Sequence, residues 1–270
     1  MDNRISDSST RAIHTDAPSQ LGNSDSFTET LADLALRRGP SPGVRDQMGG
    51  FLSTPRASDP DPLFDLRNAT LAGANVDGIC VGLAGEWFSN LASSPTSRMN
   101  ALEPGSQRHG AAAGRQQQYE GISAGLRRNG VNRAQANTQA KNTVLREMGL
   151  EPFGRETVYS FDEPAERSRM LRQITADGSK HLLSLRFADG QPRHTIATSA
   201  SNGEITLFDP NYGEFTVPKG WADELFQRLS NRYRSPNGLI ISTITTQEMH
   251  EQGQHAEPIG AFDEGASLAK

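Results

Sequence analysis

The strongest constraint on the fold is an Asn-Gly pair between two short stretches of alternating apolar and polar residues. The stretches are 194–199 and 204–208, and Asn202-Gly203 lies between them. Because Asn-Gly readily adopts the backbone dihedrals of a tight β-turn, this pattern predicts an antiparallel hairpin. The stretch 181–187 precedes it and is typical of a third strand. The second half of the chain is therefore predicted to form an antiparallel sheet.

The part of the chain before these strands has a helical pattern. Apolar residues recur every fourth position from Cys80 to Leu91, and long Ala/Gln-rich stretches follow. Helices that precede an antiparallel sheet indicate the α+β class. The predicted helices span 80–91, 108–128, 132–148, 164–176 and 221–233, and a last strand spans 239–245.

Charge and cysteine count exclude several functions. The net charge is −5, from 27 basic and 32 acidic residues, and no Lys/Arg block is present. Nucleic acid is therefore not an expected partner, since no basic surface would neutralise its phosphates. One cysteine cannot form an internal disulfide or a thiolate metal cluster. We expect neither a metal nor a cofactor.

The chain divides into polar flanks and one core. Apolar residues make up only 34% of it, and the longest apolar runs, such as Leu182–Leu185, have the length of a strand rather than of a membrane helix. The first residues lack the apolar stretch of a secretory signal. We expect 1–48 to be a disordered leader that includes one short helical pattern at 27–38, 49–72 a flexible linker, 73–246 the folded domain and 247–270 a polar tail, in which His250 and His255 are solvated.

The single cysteine is predicted to begin a helix. Gly78 permits a sharp turn just before Cys80. Unpaired N–H groups and the helix dipole at such a position stabilise a thiolate, which is the nucleophilic form of cysteine. A lone cysteine can equally be a small buried apolar residue. Position alone leaves both interpretations open.

Two further residues are brought together by the predicted hairpin. His194 opens one strand and Asp209 closes the next, so both lie at the same end of the sheet. If the Cys80 helix begins there, the imidazole can accept the thiol proton and the carboxylate can orient the imidazole. Alternatively, His194 is a surface strand residue and Asp209 favours an Asp-Pro turn. Together the three residues form a papain-like arrangement.

An oxyanion hole would need two hydrogen-bond donors near the nucleophile. The backbone N–H of Cys80 is one, and Asn75, five residues upstream, is the best side-chain candidate. An Asn that precedes Asp-Gly is also common in ordinary loops.

Four segments resemble the YopT/AvrPphB family of bacterial type III effector cysteine proteases. They span 75–87, 180–188, 194–197 and 207–215, and the Phe-Asp-Pro-Asn-x-Gly-Glu-Phe block in the last of them is highly specific. The resemblance covers roughly 45–246 of the chain. It implies a papain-like fold, with helices packed on an antiparallel β-sheet. It also implies Cys80 as nucleophile, His194 as base, Asp209 as orienting acid and Asn75 as oxyanion-hole residue.

The resemblance also implies a cleavage site. AvrPphB-like members cut themselves before a glycine that follows a short segment with Asp, and Arg45-Asp46-Gln47-Met48-Gly49 occupies that place. Cleavage after Met48 would expose Gly49, and the Gly-x-x-x-Ser spacing that ends at Ser53 fits an N-myristoylation signal, although such spacing also occurs by chance. Near Gly49 there is neither a cysteine that could be palmitoylated nor a polybasic patch, so a second membrane signal is missing. We therefore expect weak, reversible membrane association.

The partners follow from the same resemblance. It implies type III secretion into a host cell, cleavage of host proteins such as plant cytoplasmic kinases, and action in the host cytoplasm and at the plasma membrane. The polar composition of 1–48 indicates a leader that is disordered or bound by a secretion chaperone, although it also fits a merely variable N-terminus. A monomer is the simplest expectation. Two other activities remain open at this point. A deamidase or transglutaminase-like effector can use the same Cys, His and Asp, and a degraded effector could bind a host protein without cutting it.

Overall fold

The computed structural model describes residues 61–75, 78–190 and 193–252. These residues form six α-helices and seven strands. The helices are α1 (Cys80–Phe88), α2 (Pro95–Leu102), α3 (Gln107–Arg128), α4 (Arg133–Glu147), α5 (Pro164–Ile174) and α6 (Ala222–Arg234). The strands are β1 (Arg67–Thr70), β2 (Leu150–Ser160), β3 (Lys180–Phe187), β4 (His194–Ser201), β5 (Glu204–Asp209), β6 (Gly213–Pro218) and β7 (Ile241–Glu251).

All seven strands belong to one sheet with the order β1-β6-β5-β4-β3-β7-β2. Every neighbouring pair is antiparallel. The predicted hairpin is β4–β5, and Asn202 has the positive φ of 54° that this tight turn requires. The α+β prediction is therefore confirmed.

Helices cover both faces of the sheet. Because side chains alternate along a strand, Leu183 on β3 faces α5 and α6, whereas Leu182 faces the side on which α1 packs. Ala197 and Phe208 join Leu182 in the second cluster, together with residues of α1 to α4. The helix that carries the single cysteine thus lies against the centre of the sheet.

Several elements differ from the sequence prediction. The strands β1, β2 and β6 and the helix α2 were not predicted. Strand β2 contains Pro152 and Gly154 and pairs only with β7 at the sheet edge, so it has no clear alternation. At the other edge, β1 brings 67–70 of the expected linker into the sheet.

The last strand is longer than predicted. It runs to Glu251 because Gln247 and Met249 are buried while their backbones pair with neighbouring strands. His250, expected in a solvated tail, stacks on the Phe153 ring at 4.5 Å. His255 and the helical pattern at 27–38 lie outside the described residues. No helix in the described ranges is long and apolar enough to span a bilayer.

A buried carboxylate anchors both α1 and α2 to the sheet. The fully buried Glu214 on β6 accepts two hydrogen bonds from Arg98, at 2.8 and 2.7 Å, and one from the Trp87 indole N–H at 2.8 Å. The Trp87 ring in turn stacks on Phe208. Because the carboxylate has these three donors, its burial does not leave an unpaired charge. The glutamate in the Asp-Pro-Asn-x-Gly-Glu-Phe block therefore has a structural role.

Close contact between α1 and α3 depends on a glycine. A Cβ atom at Gly82 would lie 2.0 Å from the backbone oxygen of Ala112, which cannot move as a side chain can. We expect Gly82→Ala to lower the free energy of unfolding by about 3 kcal/mol, because the helices must separate. Urea unfolding followed by circular dichroism measures this loss.

The matched control is Gly114→Ala on α3. A Cβ at this exposed position meets nothing within 4 Å. Alanine is favoured over glycine inside a helix, so we expect a gain of about 0.5–1 kcal/mol. Equal unfolding midpoints for the two variants would contradict the close contact between the helices.

Candidate active site

Cys80 is the first residue of α1. Gly78 has a φ of 69°, which allows the chain to turn sharply just before the helix. Ile79 at the N-cap offers no side-chain hydrogen bond, whereas the Gln116 side-chain oxygen accepts the Val81 N–H at 3.3 Å. All nine residues of α1 are buried. The thiol is therefore held at a helix N-terminus, where the dipole favours a negative charge.

His194 and Asp209 meet at one end of the sheet. His194 is the first residue of β4, Asp209 is the last of β5, and these strands are antiparallel neighbours. The His194 Nε2 atom lies 2.9 Å from Asp209 Oδ1, and the two side chains are 1% and 0% exposed. This hydrogen bond leaves the ring Nδ1 for another partner.

The other partner is Cys80. Its thiol lies beside the His194 ring in the same cleft, close enough for each group to shift the pKa of the other. Burial acts to raise the pKa of the Cys80 thiol, but the hydrogen bond and the charge of His194, helped by Thr195, bring that pKa below its usual value. The site therefore favours the thiolate.

The imidazole is correspondingly basic. Burial acts to lower the pKa of His194, but the charge and the hydrogen bond of Asp209, followed by those of Cys80, raise it to about 10. The two shifts together favour a thiolate–imidazolium pair over the neutral thiol and imidazole. Such a pair supplies a nucleophile and a general acid at the same time.

The Asp209 carboxylate has two further donors. The backbone N–H of Asn211 donates to Oδ1 at 2.9 Å, and the Tyr233 hydroxyl donates to Oδ2 at 2.7 Å. Burial and the charge of Asp209 raise the pKa of Tyr233 well above its usual value, so this hydroxyl keeps its proton. Three hydrogen-bond donors therefore hold the Asp209 carboxylate in place, and the carboxylate in turn orients the ring of His194.

The predicted oxyanion-hole residue lines the same cleft. Asn75 is buried, and its Nδ2 atom donates to the Asn211 side-chain oxygen at 2.8 Å. The structure thus brings Cys80, His194, Asp209 and Asn75 to one place. Met48 and Gly49, the predicted cleavage site, lie outside the described residues.

The cleft has a volume of about 830 Å³ and separates the sheet from α3 and α4. Tyr119 of α3 lies in it, and burial followed by the charge of Cys80 raises the pKa of this tyrosine to about 12. Arg186 and Arg193 line the sheet side. Glu86 of α1 does not line the cleft, and it forms an ion pair with Arg108 at 2.9 Å.

Sequence reasoning missed two residues of the site. Asn211 lies in the Asp-Pro-Asn-x-Gly-Glu-Phe block, where the residue types indicate only a turn. Tyr233 ends the predicted helix 221–233 at a spacing typical of core residues, and only its hydroxyl distinguishes it from one. Within the described part of the chain, no three His, Cys, Asp or Glu side chains converge as a metal site would need.

Solved structures identify the class. The crystal structure of the Pseudomonas avirulence protein AvrPphB matches with a TM-score of 0.64 and 26% sequence identity, and the match covers 70% of this chain and 99% of that one. Together with the helix-borne cysteine beside the sheet, this similarity defines a papain-like cysteine protease.

The chain belongs to the YopT/AvrPphB family. A family model described as Yersinia/Haemophilus virulence surface antigen, Peptidase_C58, matches residues 60–249. A protein of Bradyrhizobium diazoefficiens named as a YopT-like cysteine protease is 52% identical, with 92% of this chain and 100% of that protein covered. A similarly named protein of Sinorhizobium fredii is 50% identical with the same shares covered. The cysteine protease AvrPphB of Pseudomonas savastanoi pv. phaseolicola is 31% identical, over 77% of this chain and 82% of AvrPphB.

The predicted family, papain-like fold and enzyme class are therefore confirmed. Among the three activities that Cys, His and Asp alone left open, membership in this family selects the cysteine protease.

Proposed function

We propose that the chain is an endopeptidase effector that uses Cys80, His194 and Asp209 to cut itself after Met48 and to cleave host proteins. The observation that carries the proposal is that Cys80 and His194 line one cleft while the His194 ring is hydrogen-bonded to the buried Asp209 carboxylate at 2.9 Å. An isolated buried cysteine would need no such partners. The relatives named as cysteine proteases support the same chemistry.

In the first half of the reaction, the Cys80 thiolate attacks the carbonyl carbon of the scissile peptide bond. The carbonyl oxygen becomes an oxyanion, which the Cys80 backbone N–H and the Asn75 amide stabilise. The His194 imidazolium then gives its proton to the leaving amine as the C–N bond breaks. The carboxyl-terminal fragment leaves as the amine, and the amino-terminal fragment stays attached through a thioester between its carbonyl carbon and the Cys80 sulfur.

In the second half, a water molecule replaces the released amine. The neutral His194 takes one of its protons while the oxygen attacks the thioester carbon. Collapse of the second oxyanion breaks the C–S bond and releases the carboxylic acid. The proton remains on the imidazole, so the thiolate–imidazolium pair is restored. Throughout the cycle, Asp209 keeps the ring oriented and stabilises its positive form.

The ends of the chain have separate roles in this proposal. Residues 1–48 act as a leader that a secretion chaperone binds, and cleavage releases the protease that starts at Gly49. The name of AvrPphB as an avirulence protein supports action in a host cell. Type III secretion and cleavage of plant cytoplasmic kinases are the parts of the proposal that the sequence resemblance implies. The enzyme works as a monomer.

Myristoylation of Gly49 would follow cleavage. A single myristoyl chain gives a membrane association constant of only about 10⁴ M⁻¹, and Arg56 is the one basic residue close by. The processed protein would therefore exchange between the host cytoplasm and the plasma membrane. Mass spectrometry of its first peptide from host cells detects the acyl group directly.

Amino-terminal sequencing of the purified full chain tests self-processing. We expect the wild-type protein to begin at Gly49 and the His194→Ala variant to keep Met1, because loss of the imidazole removes both the thiolate partner and the general acid. His250→Ala is the matched control, since this histidine stacks on Phe153 away from the cleft and should not prevent processing. A His194→Ala protein that still begins at Gly49 would refute the proposal.

A further inference from the structure

A chain of side-chain hydrogen bonds joins the oxyanion-hole candidate to the buried acid. Asn75 donates from Nδ2 to the Asn211 side-chain oxygen at 2.8 Å. Asn211 donates from its own Nδ2 to the Tyr233 hydroxyl oxygen at 3.2 Å, and Tyr233 donates to Asp209 Oδ2 at 2.7 Å. Asn75 and Asp209 are therefore connected through two intermediate side chains, those of Asn211 and Tyr233.

Each hydrogen bond in this chain has a defined direction. An ionised carboxylate can only accept, so the Tyr233 hydroxyl must point its proton at Asp209. The hydroxyl oxygen then accepts from an N–H group, which turns the amide nitrogen of Asn211 toward it. The amide oxygen of Asn211 consequently faces Asn75 and accepts from it. Every donor thus points toward Asp209.

This direction matters most at Asn75. The two ends of an amide have nearly the same shape, so contacts alone do not decide which end faces the cleft. The Asn75 Oδ1 atom is buried and has no hydrogen-bond partner among the described residues. The contact with Asn211 is therefore what fixes the amide. It leaves the second N–H of Nδ2 available to an oxyanion, whereas a reversed amide would bring two oxygens together.

We propose that Asn211 and Tyr233 are positioning residues, which carry the orientation set by the Asp209 carboxylate to the Asn75 amide. This inference rests on the proposed role of Asn75 as an oxyanion donor. It assigns one carboxylate to two tasks, since Oδ1 orients the imidazole and Oδ2 orients the oxyanion hole through Tyr233.

Replacing Asn211 with alanine separates these two tasks. Its backbone N–H, which donates to Asp209 Oδ1, survives the substitution, so the hydrogen bond from His194 keeps its acceptor geometry. Its side chain also approaches His194 Nε2 at 3.4 Å, but that nitrogen already gives its proton to Asp209. The substitution therefore removes the hydrogen bonds with Asn75 and Tyr233, together with the long approach to His194, and leaves the His194–Asp209 hydrogen bond in place.

Two reactions of the single thiol report on the two tasks. Iodoacetamide alkylation forms an S–C bond with loss of iodide and no oxyanion, so it measures the thiolate alone. With p-nitrophenyl acetate, the thiolate attacks the acetyl carbon through an oxyanion, and p-nitrophenolate leaves. We expect Asn75→Ala to slow acylation about 10²-fold and Asn211→Ala about 10-fold. The double variant should acylate no more slowly than Asn75→Ala, and all three should be alkylated at the wild-type rate.

Two further variants complete the experiment. Asn237→Ala is the control, because its amide contacts the Tyr212 hydroxyl, which is not part of the chain from Asn75 to Asp209. This substitution should change neither rate. Tyr233→Phe should slow acylation and also alter the pH dependence of alkylation, because it removes a donor from Asp209 itself. The inference is wrong if Asn211→Ala acylates like wild type, if its effect multiplies with that of Asn75→Ala, or if acylation and alkylation fall together.

The outcome does not depend on self-processing, because p-nitrophenyl acetate needs no peptide recognition. A protein that keeps Met1 but shows the expected separation of the two rates would reject autocleavage and support the role of Asn211.

Discussion

Replacing Cys80 with serine is expected to reduce peptide cleavage by about 10⁶-fold, as removal of a nucleophile does in a catalytic triad. A serine hydroxyl is far less acidic than a thiol, so the contact with His194 that lowers the pKa of Cys80 cannot produce an alkoxide at neutral pH. Serine has nearly the same shape, so α1 should keep its place on the sheet. The full-length variant, incubated alone, should remain 270 residues long.

Wild-type enzyme supplies the complementary measurement. Added in a small amount, it should convert the Cys80→Ser chain to one that begins at Gly49. Because the chain has one cysteine, wild type blocked with iodoacetamide is a second inactive control. Cleavage of the serine variant without added enzyme, or continued turnover by the alkylated protein, would show that another group is the nucleophile.

Asp209→Asn is expected to lower kcat by about 10⁴-fold, the loss seen when the acid of a triad becomes an amide. The carboxylate accepts from His194, from the Asn211 N–H and from Tyr233, whereas an amide presents an NH₂ group to one of these donors. The imidazole then loses both its orientation and the charge that stabilises its protonated form.

The pH dependence should change in a defined direction. Asp209 contributes most to raising the pKa of His194 to about 10, followed by Cys80, so the asparagine variant should lose the imidazolium at a lower pH than wild type. The high-pH limb of the cleavage profile should therefore move to lower pH.

The raised pKa of His194 also stabilises the wild-type fold. This contribution to the free energy of unfolding is complete below the unfolded pKa of 6.5 and is lost as pH rises through the folded pKa of about 10. The asparagine variant should lack most of it.

Glu214→Gln is the matched control for Asp209→Asn. Both are fully buried carboxylates near the same turn, but Glu214 binds Arg98 and Trp87 instead of the imidazole. Its replacement should lower the free energy of unfolding by about 3 kcal/mol, because Arg98 is left as an unpaired buried charge, while the pH profile keeps its position. Identical profiles for wild type and Asp209→Asn would contradict the role of the acid.

The sequence was sufficient where local rules determine geometry. Asn202-Gly203 determines a hairpin, and antiparallel pairing then places His194 and Asp209 at the same end of that hairpin. This placement does not depend on the other elements of the fold. Gly78 similarly predicts the turn that puts Cys80 at a helix start. These rules act within one hairpin or one helix, so no knowledge of distant contacts was needed.

Other features depend on packing between distant elements. The Cys80–His194 contact exists because α1 packs between the sheet and α3, and its close approach to α3 needs the space at Gly82. The role of Tyr233 depends on where α6 aims one hydroxyl, and a helical repeat of apolar residues contains no such information. Edge strand β2 was missed because pairing on one side with β7 tolerates proline and glycine.

The complete burial of α1 has a practical consequence. The Cys80 thiol lies on a helix that the protein interior surrounds. The contacts that make it reactive therefore cannot form in a molecule whose interior is disordered. An unfolded chain keeps an ordinary thiol, which reacts more slowly near neutral pH. The amplitude of the fast phase of alkylation would therefore measure the correctly folded fraction of any preparation.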